Sequence, residues 1–239
     1  MRIEGAVALV TGASRGIGFA LVEGLIARGV SHVYATARTP RVQNGPDGRD
    51  RLIPLRMDVT NEPGVLGVAA LANDVTLLVN NAGMLTPGGV FDVEAAQIRR
   101  EMETNCLGLI NVARVFAPVI ERNGGGVILN VLSISALANA PTIGVYSASK
   151  AAAWSATQAM RAELAAKNIQ VLAAFPGPVD TDMTRKLQVV KTSAKDVAEA
   201  MLDGIEQGMP EIFPDPMSKQ AGDIWQKNPK MLERQFAFL

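Results

Sequence analysis

The sequence predicts an α/β fold, a single domain built on a doubly wound parallel sheet of about seven strands. Three observations predict it. Short runs rich in Val, Ile, Leu and Ala alternate with longer stretches of helical periodicity. The runs are apolar almost throughout rather than at every second residue, as strands covered on both faces are. The first run opens into a turn with glycines at positions 12, 16 and 18, directly ahead of a helical stretch.

The elements follow in order. AVALVT (6–11) reads as the first strand, 15–28 as a helix and HVYATA (32–37) as the second strand. Residues 40–50, PRVQNGPDGRD, are polar and rich in Gly and Pro, the composition of a surface loop. RLIPLRMDV (51–59) is the third strand and VTLLVN (75–80) the fourth. A long helical stretch spans 94–121, and Pro118 is expected to bend or shorten it. GVILNVLS (126–133) is the fifth strand, 147–167 a helix, and IQVLAAFP (169–176) the sixth strand. A helix opens at Ser193, its cap, with Asp196 in the first turn. The short segment 182–192 before it reads as a substrate lid that leaves the site open. EIF (211–213) is a short seventh strand. The tail 214–239 holds Trp225, Phe236 and Phe238, too apolar for a free tail, and is expected to pack on a partner or on the lid.

Composition narrows the function. Lys plus Arg and Asp plus Glu both count 23, so the formal net charge is zero and a basic nucleic-acid footprint is missing. Cys106 is the lone cysteine, which excludes an intrachain disulfide and a cysteine-built zinc site. His32 is the lone histidine, so no metal site is expected and general acid–base work falls to another side chain. The apolar run at 6–10 is too short for a signal peptide. The uncharged stretch 123–149 is broken by Gly, Pro, Asn and Ser, so it is not a membrane span. A soluble cytoplasmic protein is expected.

The turn Thr11-Gly12-Ala13-Ser14-Arg15-Gly16-Ile17-Gly18 suits a dinucleotide. Gly12 permits a tight turn, Gly16 lets backbone approach a pyrophosphate, and Gly18 lets the helix pack close to the sheet. Free amides at the helix N-terminus then face anionic oxygens. The second strand ends Thr36-Ala37-Arg38, with no carboxylate for a ribose 2′-hydroxyl. Arg15 and Arg38 instead offer two guanidinium groups to a 2′-phosphate, and the expected cofactor is NADP(H).

Lys150 is the one charged residue in 123–160. Tyr146 lies four positions earlier, on the same face of a helix. A phenol with its usual pKa near 10 is a poor base at neutral pH. One cation at about 4–5 Å and an effective dielectric near 20 supplies roughly 3–4 kcal/mol, enough to lower it by about 2–3 units. Tyr146 and Lys150 are therefore a candidate proton-transfer pair that needs no histidine.

Taken together these segments resemble the short-chain dehydrogenase/reductase family in its single-domain, Rossmann-like form. The resemblance spans most of the chain, from the glycine turn to the end of the sixth strand. It adds Asp58 and Val59 as an adenine-contacting pair, and Asn80-Asn81-Ala82-Gly83 as a motif that steadies the sheet and lines the cofactor cleft. It places Asn105 as the helix asparagine 41 residues before Tyr146, and Ser133 as the serine 13 residues before it. It gives Pro176-Gly177-Pro178-Val179-Asp180-Thr181 as the segment that holds the nicotinamide carboxamide. The implied cofactor set is Gly12, Ser14, Arg15, Gly16, Ile17, Gly18, Arg38, Asp58, Val59, Asn81, Ala82, Gly83, Tyr146, Lys150, Pro176, Gly177, Val179 and Thr181.

The implied chemistry is reversible hydride transfer between a nicotinamide and a carbonyl or alcohol carbon. Tyr146 protonates the developing alkoxide, Ser133 holds the carbonyl oxygen, Lys150 tunes Tyr146 and binds the ribose, and Asn105 anchors a water leading to Lys150. With NADPH the expected direction is reduction of a ketone or aldehyde. Met84, Leu85, Ile134, Pro141, Ile143 and Met183 are the candidate substrate pocket, aliphatic enough for a lipophilic small-molecule carbonyl. The apolar circumference of the helix after Ala151 suggests a subunit contact, so a homodimer or homotetramer is expected. The competing class is a non-catalytic NADP-sensing regulator on the same fold. Such proteins typically lose the reacting Tyr or Lys, and Asn105, Ser133, Tyr146 and Lys150 all stand here.

Overall fold

The computed structural model describes residues 1–40, 51–185 and 187–238. The expected loop at 40–50 lies, beyond Pro40, outside them. Seven parallel strands form one sheet: β1 (Val7–Thr11), β2 (His32–Ala37), β3 (Leu52–Arg56), β4 (Leu77–Asn80), β5 (Gly126–Val131), β6 (Ile169–Ala174) and β9 (Glu211–Ile212). Their spatial order is β3-β2-β1-β4-β5-β6-β9. The order reverses between β1 and β4, and a crevice opens beyond the carboxyl ends of strands at such a point. A separate two-residue ladder joins β7 (Val179–Asp180) to β8 (Thr192–Ser193) and pins the base of the 181–191 loop.

Helices cover both faces. α1 (Gly16–Ala27) and α6 (Ala194–Gln207) pack together on one side, over Val10, Val79, Leu129 and Leu172. α2 (Glu62–Leu71), α4 (Gly108–Arg122) and part of α5 (Gly144–Leu164) cover the other, over Leu9, Leu78 and Ile128. Alternate strand residues thus feed opposite cores, which explains why the strands read as continuous apolar runs.

Two elements differ from expectation. α2 was not foreseen, although its signals are present: Asn61 accepts from the Gly64 amide, Pro63 sits in the first turn, and Val65, Val68 and Ala69 form the buried face. The long helix at 94–121 is not one α-helix. α3 (Ala95–Met102) passes through a π turn (Glu103–Leu107) into α4, which runs on past Pro118 to Arg122. Just after the π turn, Gly108 opens α4 close against Val59, where an added Cβ would sit 2.6 Å from Val59 Cγ2. Within the single chain the tail forms two helices that pack on the core. α7 (Pro216–Lys227) is closed by an Asp215–Ser218 capping box, and α8 (Pro229–Phe236) follows. Leu232 and Phe236 join Phe175 and Trp154 in a third apolar cluster, while Phe238 is exposed.

A buried polar ladder locks α5 to the sheet. Asn80 Nδ2 donates to Asn130 Oδ1 (2.9 Å), Asn130 Nδ2 donates to Thr157 Oγ1 (3.0 Å), and Thr157 donates to the Ala153 carbonyl (2.7 Å). Removing the middle member leaves the buried Asn80 amide without its acceptor and Thr157 without its donor, at about 1–3 kcal/mol for an unsatisfied group. Asn130→Ala is therefore expected to lower stability by roughly 2–4 kcal/mol. A urea midpoint unchanged from the wild type would show that the ladder contributes nothing.

Candidate active site

The glycine turn joins β1 to α1 without a side-chain cap, so the first amides of α1 remain available to a ligand. Gly12 (φ +65°) and Gly16 (φ +55°) occupy the left-handed region, where side chains are strained. Gly18 packs against the turn and Asn81 rather than the sheet. A Cβ there would lie 2.4 Å from both Asn81 Nδ2 and the Gly12 carbonyl oxygen. Asn81 fixes the turn by donating to the Thr11 carbonyl (2.9 Å) and the Gly12 carbonyl (3.3 Å). Thr11 Oγ1 accepts the amides of Asn81 and Ala82, both at 2.9 Å. The sequence reading missed Thr11 as a clamp. Its position at the end of β1, beside the NNAG segment across the sheet, was the available signal.

The crevice holds about 1030 Å³ and runs from this turn to the Tyr146–Lys150 helix. Its wall includes Gly12, Ser14, Arg15, Gly16, Ile17 and Gly18, then Arg38, Asp58, Val59, Asn81, Ala82 and Gly83. Ser133, Tyr146, Lys150, Pro176, Gly177, Val179 and Thr181 line its other end. Asp58 is held by Thr60, whose amide (3.0 Å) and hydroxyl (2.8 Å) both donate to Oδ1. Gly177 donates its amide to buried Asp215 Oδ2 at 2.8 Å, which ties the loop after β6 to the capping residue of α7.

The two arginines are not equivalent. Arg15 Nη1 reaches Asp182 Oδ2 across the mouth of the crevice (3.3 Å), whereas Arg38 is exposed and makes no ion pair among the described residues. Both arginines line the crevice, and Asp182 of the lid is placed to compete for Arg15.

At the reacting end, Tyr146 and Lys150 share the buried face of α5. The Lys150 Nζ donates to the Val131 carbonyl (2.9 Å) and lies 5.9 Å from the centroid of the Tyr146 ring. The expected lowering of the phenol is not found. Burial pushes Tyr146 up to about 12, the Ser133 hydrogen bond pulls it back, and the Glu101 charge adds to the rise. Burial lowers Lys150 to about 8, against an upward pull from Glu101. Desolvation is the largest cause for both groups, because both are buried. Ser133 also accepts the Ser135 amide (3.1 Å) at the start of a short 3-10 turn.

Asn105 lies buried in the π turn. Its Oδ1 accepts the Met84 amide (2.8 Å), and its Nδ2 donates to the Met84 carbonyl and to Ser149 Oγ, both at 2.9 Å. The side chain is thus committed to holding the Gly83–Met84 strand end beside Lys150. Of the expected substrate pocket, Met84, Leu85, Ile134, Ile143 and Met183 line the crevice. Pro141 does not, because the neighbours Ala140 and Thr142 form the wall there. Leu187, Val189, Met217 and Phe236 complete the apolar end and were not foreseen. The last two arrive from the C-terminal helices. Among the described residues no helix is long and apolar enough to cross a membrane, and no group of three or more His, Cys, Asp or Glu could hold a metal ion.

Comparisons with known proteins agree with this geometry. A family model described as short chain dehydrogenase matches residues 6–191. The 7alpha-hydroxysteroid dehydrogenase of Escherichia coli (strain K12) is 32% identical over 195 residues, covering 78% of this chain and 76% of its own length. The 3alpha-hydroxysteroid dehydrogenase of Mediterraneibacter gnavus is 30% identical over 197 residues, covering 78% and 79%. A crystal structure of a short chain dehydrogenase from Burkholderia cenocepacia J2315 in complex with NADP superposes with a TM-score of 0.92 at 38% identity, over 99% of both chains. With its seven-stranded parallel sheet and matched motifs, this chain belongs to the short chain dehydrogenase family of nicotinamide-dinucleotide oxidoreductases.

Proposed function

We propose that the chain reduces a lipophilic ketone or aldehyde to an alcohol with NADPH, through Ser133, Tyr146, Lys150 and Asn105. One observation carries the reading. A single crevice joins an uncapped helix N-terminus and Arg38 at one end to Ser133, Tyr146 and Lys150 at the other, and its far wall is apolar. The residues fit a dinucleotide: glycines take the close backbone positions that a Cβ would fill, and the α1 amides are free to bind an anion. When bound, the dinucleotide supplies the hydride.

This chain's residues do the rest. Tyr146 holds its proton at neutral pH, the state a general acid needs, and gives it to the alkoxide oxygen. Ser133 donates a hydrogen bond to that oxygen, an electrostatic contribution of about 2.7–4 kcal/mol where such donors have been removed. Lys150 places a cation beneath the phenol and toward the ribose. Asn105 fixes the backbone beside Lys150, with a water leading from there to solvent. Met84, Leu85, Ile134, Ile143, Met217 and Phe236 exclude water from the reacting carbonyl. The 182–192 segment acts as the lid, and Met217 and Phe236 of the tail act as the back wall. The two relatives named for hydroxysteroids make cyclic ketones a natural part of the substrate range.

The test is NADPH consumption against a panel of cyclic ketones, aldehydes, oxo-acyl thioesters, sugars and charged oxo acids. Turnover of lipophilic members is expected and failure of every carbonyl overturns the reading. Cofactor preference has its own test. Arg15→Ala with Arg38→Ala is expected to cut the NADPH-over-NADH preference by at least about tenfold, one charge-assisted bond being worth about 1.5–3 kcal/mol. Because Asp182 holds Arg15, most of that loss is expected from Arg38→Ala alone. An unchanged ratio in the double variant removes the 2′-phosphate role.

A homodimer or homotetramer is proposed through α5, whose outer face of Ala148, Ala151, Ser155 and Ala159 is exposed in the single chain. Size-exclusion chromatography giving a clean monomer would contradict it.

A further inference from the structure

The capping carboxylate of α7 has one acceptor more than a cap needs. Asp215 is buried at the start of the tail. Its Oδ1 accepts the Ser218 amide (2.8 Å), which closes the helix. Serine or asparagine would close it as well, since a cap uses a single oxygen. Oδ2 accepts the Gly177 amide instead, also at 2.8 Å. Among the described residues no other acceptor reaches that amide. The approach is close: a Cβ on Gly177 would sit 2.8 Å from Asp215 Oδ1 and 3.4 Å from Met217 Cβ. On its other side the loop is held by the end of β5. The Ile134 amide donates to the Pro176 carbonyl (3.1 Å), and the Ser133 hydroxyl lies 3.5 Å from the same oxygen. Residues 176 and 177 are thus clamped between the Ser133–Ile134 segment and the capping residue of the tail. The tail beyond Asp215 is itself part of the crevice wall, through Met217 and Phe236. α7 has a seat besides this carboxylate. Its Gly222 lies against the Phe213 ring, which stacks on Phe175 just after β6 with ring centroids 5.3 Å apart.

We propose that Asp215 is a positioning residue that couples the tail's wall of the crevice to the Gly177 loop, so that a dinucleotide seated on the loop also orders the surface that Met217 and Phe236 offer to a substrate. The proposal rests on the functional reading for which end of the crevice takes the nicotinamide. The second carboxylate oxygen is what makes the link, because a neutral cap would hold α7 and leave Gly177 without an acceptor. Coupling of this kind is reciprocal: a dinucleotide that favours the ordered loop favours the ordered tail by the same factor.

The test is dinucleotide binding, and it needs no turnover. In Asp215→Asn the side-chain oxygen still caps α7, while the amide nitrogen faces the Gly177 N–H and that bond is lost. NADPH and NADH are both expected to bind at least about fivefold more weakly, the lower end of the range for coupled sites, because Gly177 lies at the end of the crevice that the two share. Ser218→Ala weakens the same capping box and leaves the Gly177 bond, so its affinities are expected to stay within about twofold of the wild type. Unchanged affinities in Asp215→Asn overturn the proposal. An equal loss in both variants also overturns it, since Asp215 is then a helix cap only. A loss for NADPH alone does the same, by placing the effect at the 2′-phosphate. Should Asp215→Asn not fold, the wild-type chain carries the test. NADPH is expected to slow hydrogen exchange in α7 beyond any change in α2, which packs against α4, and an α7 that exchanges as before overturns the proposal. The two readings fail separately. If the binding results hold and no carbonyl of the panel is turned over, the functional reading falls. If ketones are reduced and Asp215→Asn binds as the wild type does, the coupling falls.

Discussion

Tyr146→Phe is expected to lower turnover by about 10²–10⁴-fold while leaving NADPH affinity unchanged. The substitution removes one oxygen from a ring that stays buried in the face of α5 and keeps its packing. The glycine turn with the α1 amides, Arg38 and Asp58 line the other stretch of the crevice, so the dinucleotide would keep those supports. The loss is therefore expected in the chemical step. The phenol's high proton affinity, up to about 12, sharpens the expectation. It makes Tyr146 a fully loaded acid at neutral pH, ready for the reductive direction, and a poor base for oxidation until something lowers it. Single-turnover hydride transfer, followed beside a separate NADPH-binding titration, distinguishes the outcomes. Retained hydride transfer removes Tyr146 from the acid role. A parallel loss of NADPH affinity would move its importance from proton transfer to binding.

Much of this site was legible because local rules and tertiary demands agreed. The glycine turn, the apolar strands and the Ser193 cap each have a local cause, and the structure carries all three. What escaped reading was set by contacts between distant segments. The π turn at Glu103–Leu107 interrupts a stretch whose periodicity reads as one helix. Arg15 looked free for a phosphate, and only the folded lid shows Asp182 beside it, 167 positions away. Phe236 read as a packing residue of the tail. Its place on the crevice wall depends on α7 being anchored by Asp215, which also receives the Gly177 amide. The phenol was misjudged for a similar reason. Spacing of four put the cation and Tyr146 on one face, but burial is the largest influence on both groups.

Lys150 leads to a second large effect, read in stability rather than rate. Its folded-state value, about 8, lies below the usual 10.5 because burial penalises the charge. Between those values the unfolded chain keeps a proton that the folded chain has released, so folding stability is expected to rise with pH across that window. The full rise corresponds to about 3 kcal/mol. Tyr146 acts with the opposite sign. Its value is raised from 10.0 to about 12, so the folded chain holds a proton the unfolded chain has lost, and stability is expected to fall across that higher window. Tyr34, also raised to about 12, adds to the fall. The wild-type profile is thus a rise followed by a drop, measurable as urea midpoints at successive pH. In Lys150→Met the rise is expected to vanish while the drop remains. A variant that keeps the rise would show that another group supplies it and that Lys150 is not desolvated as its burial implies. The gain of Lys150→Met below pH 8 is expected to be partial, because the same substitution takes the Nζ donor from the buried Val131 carbonyl.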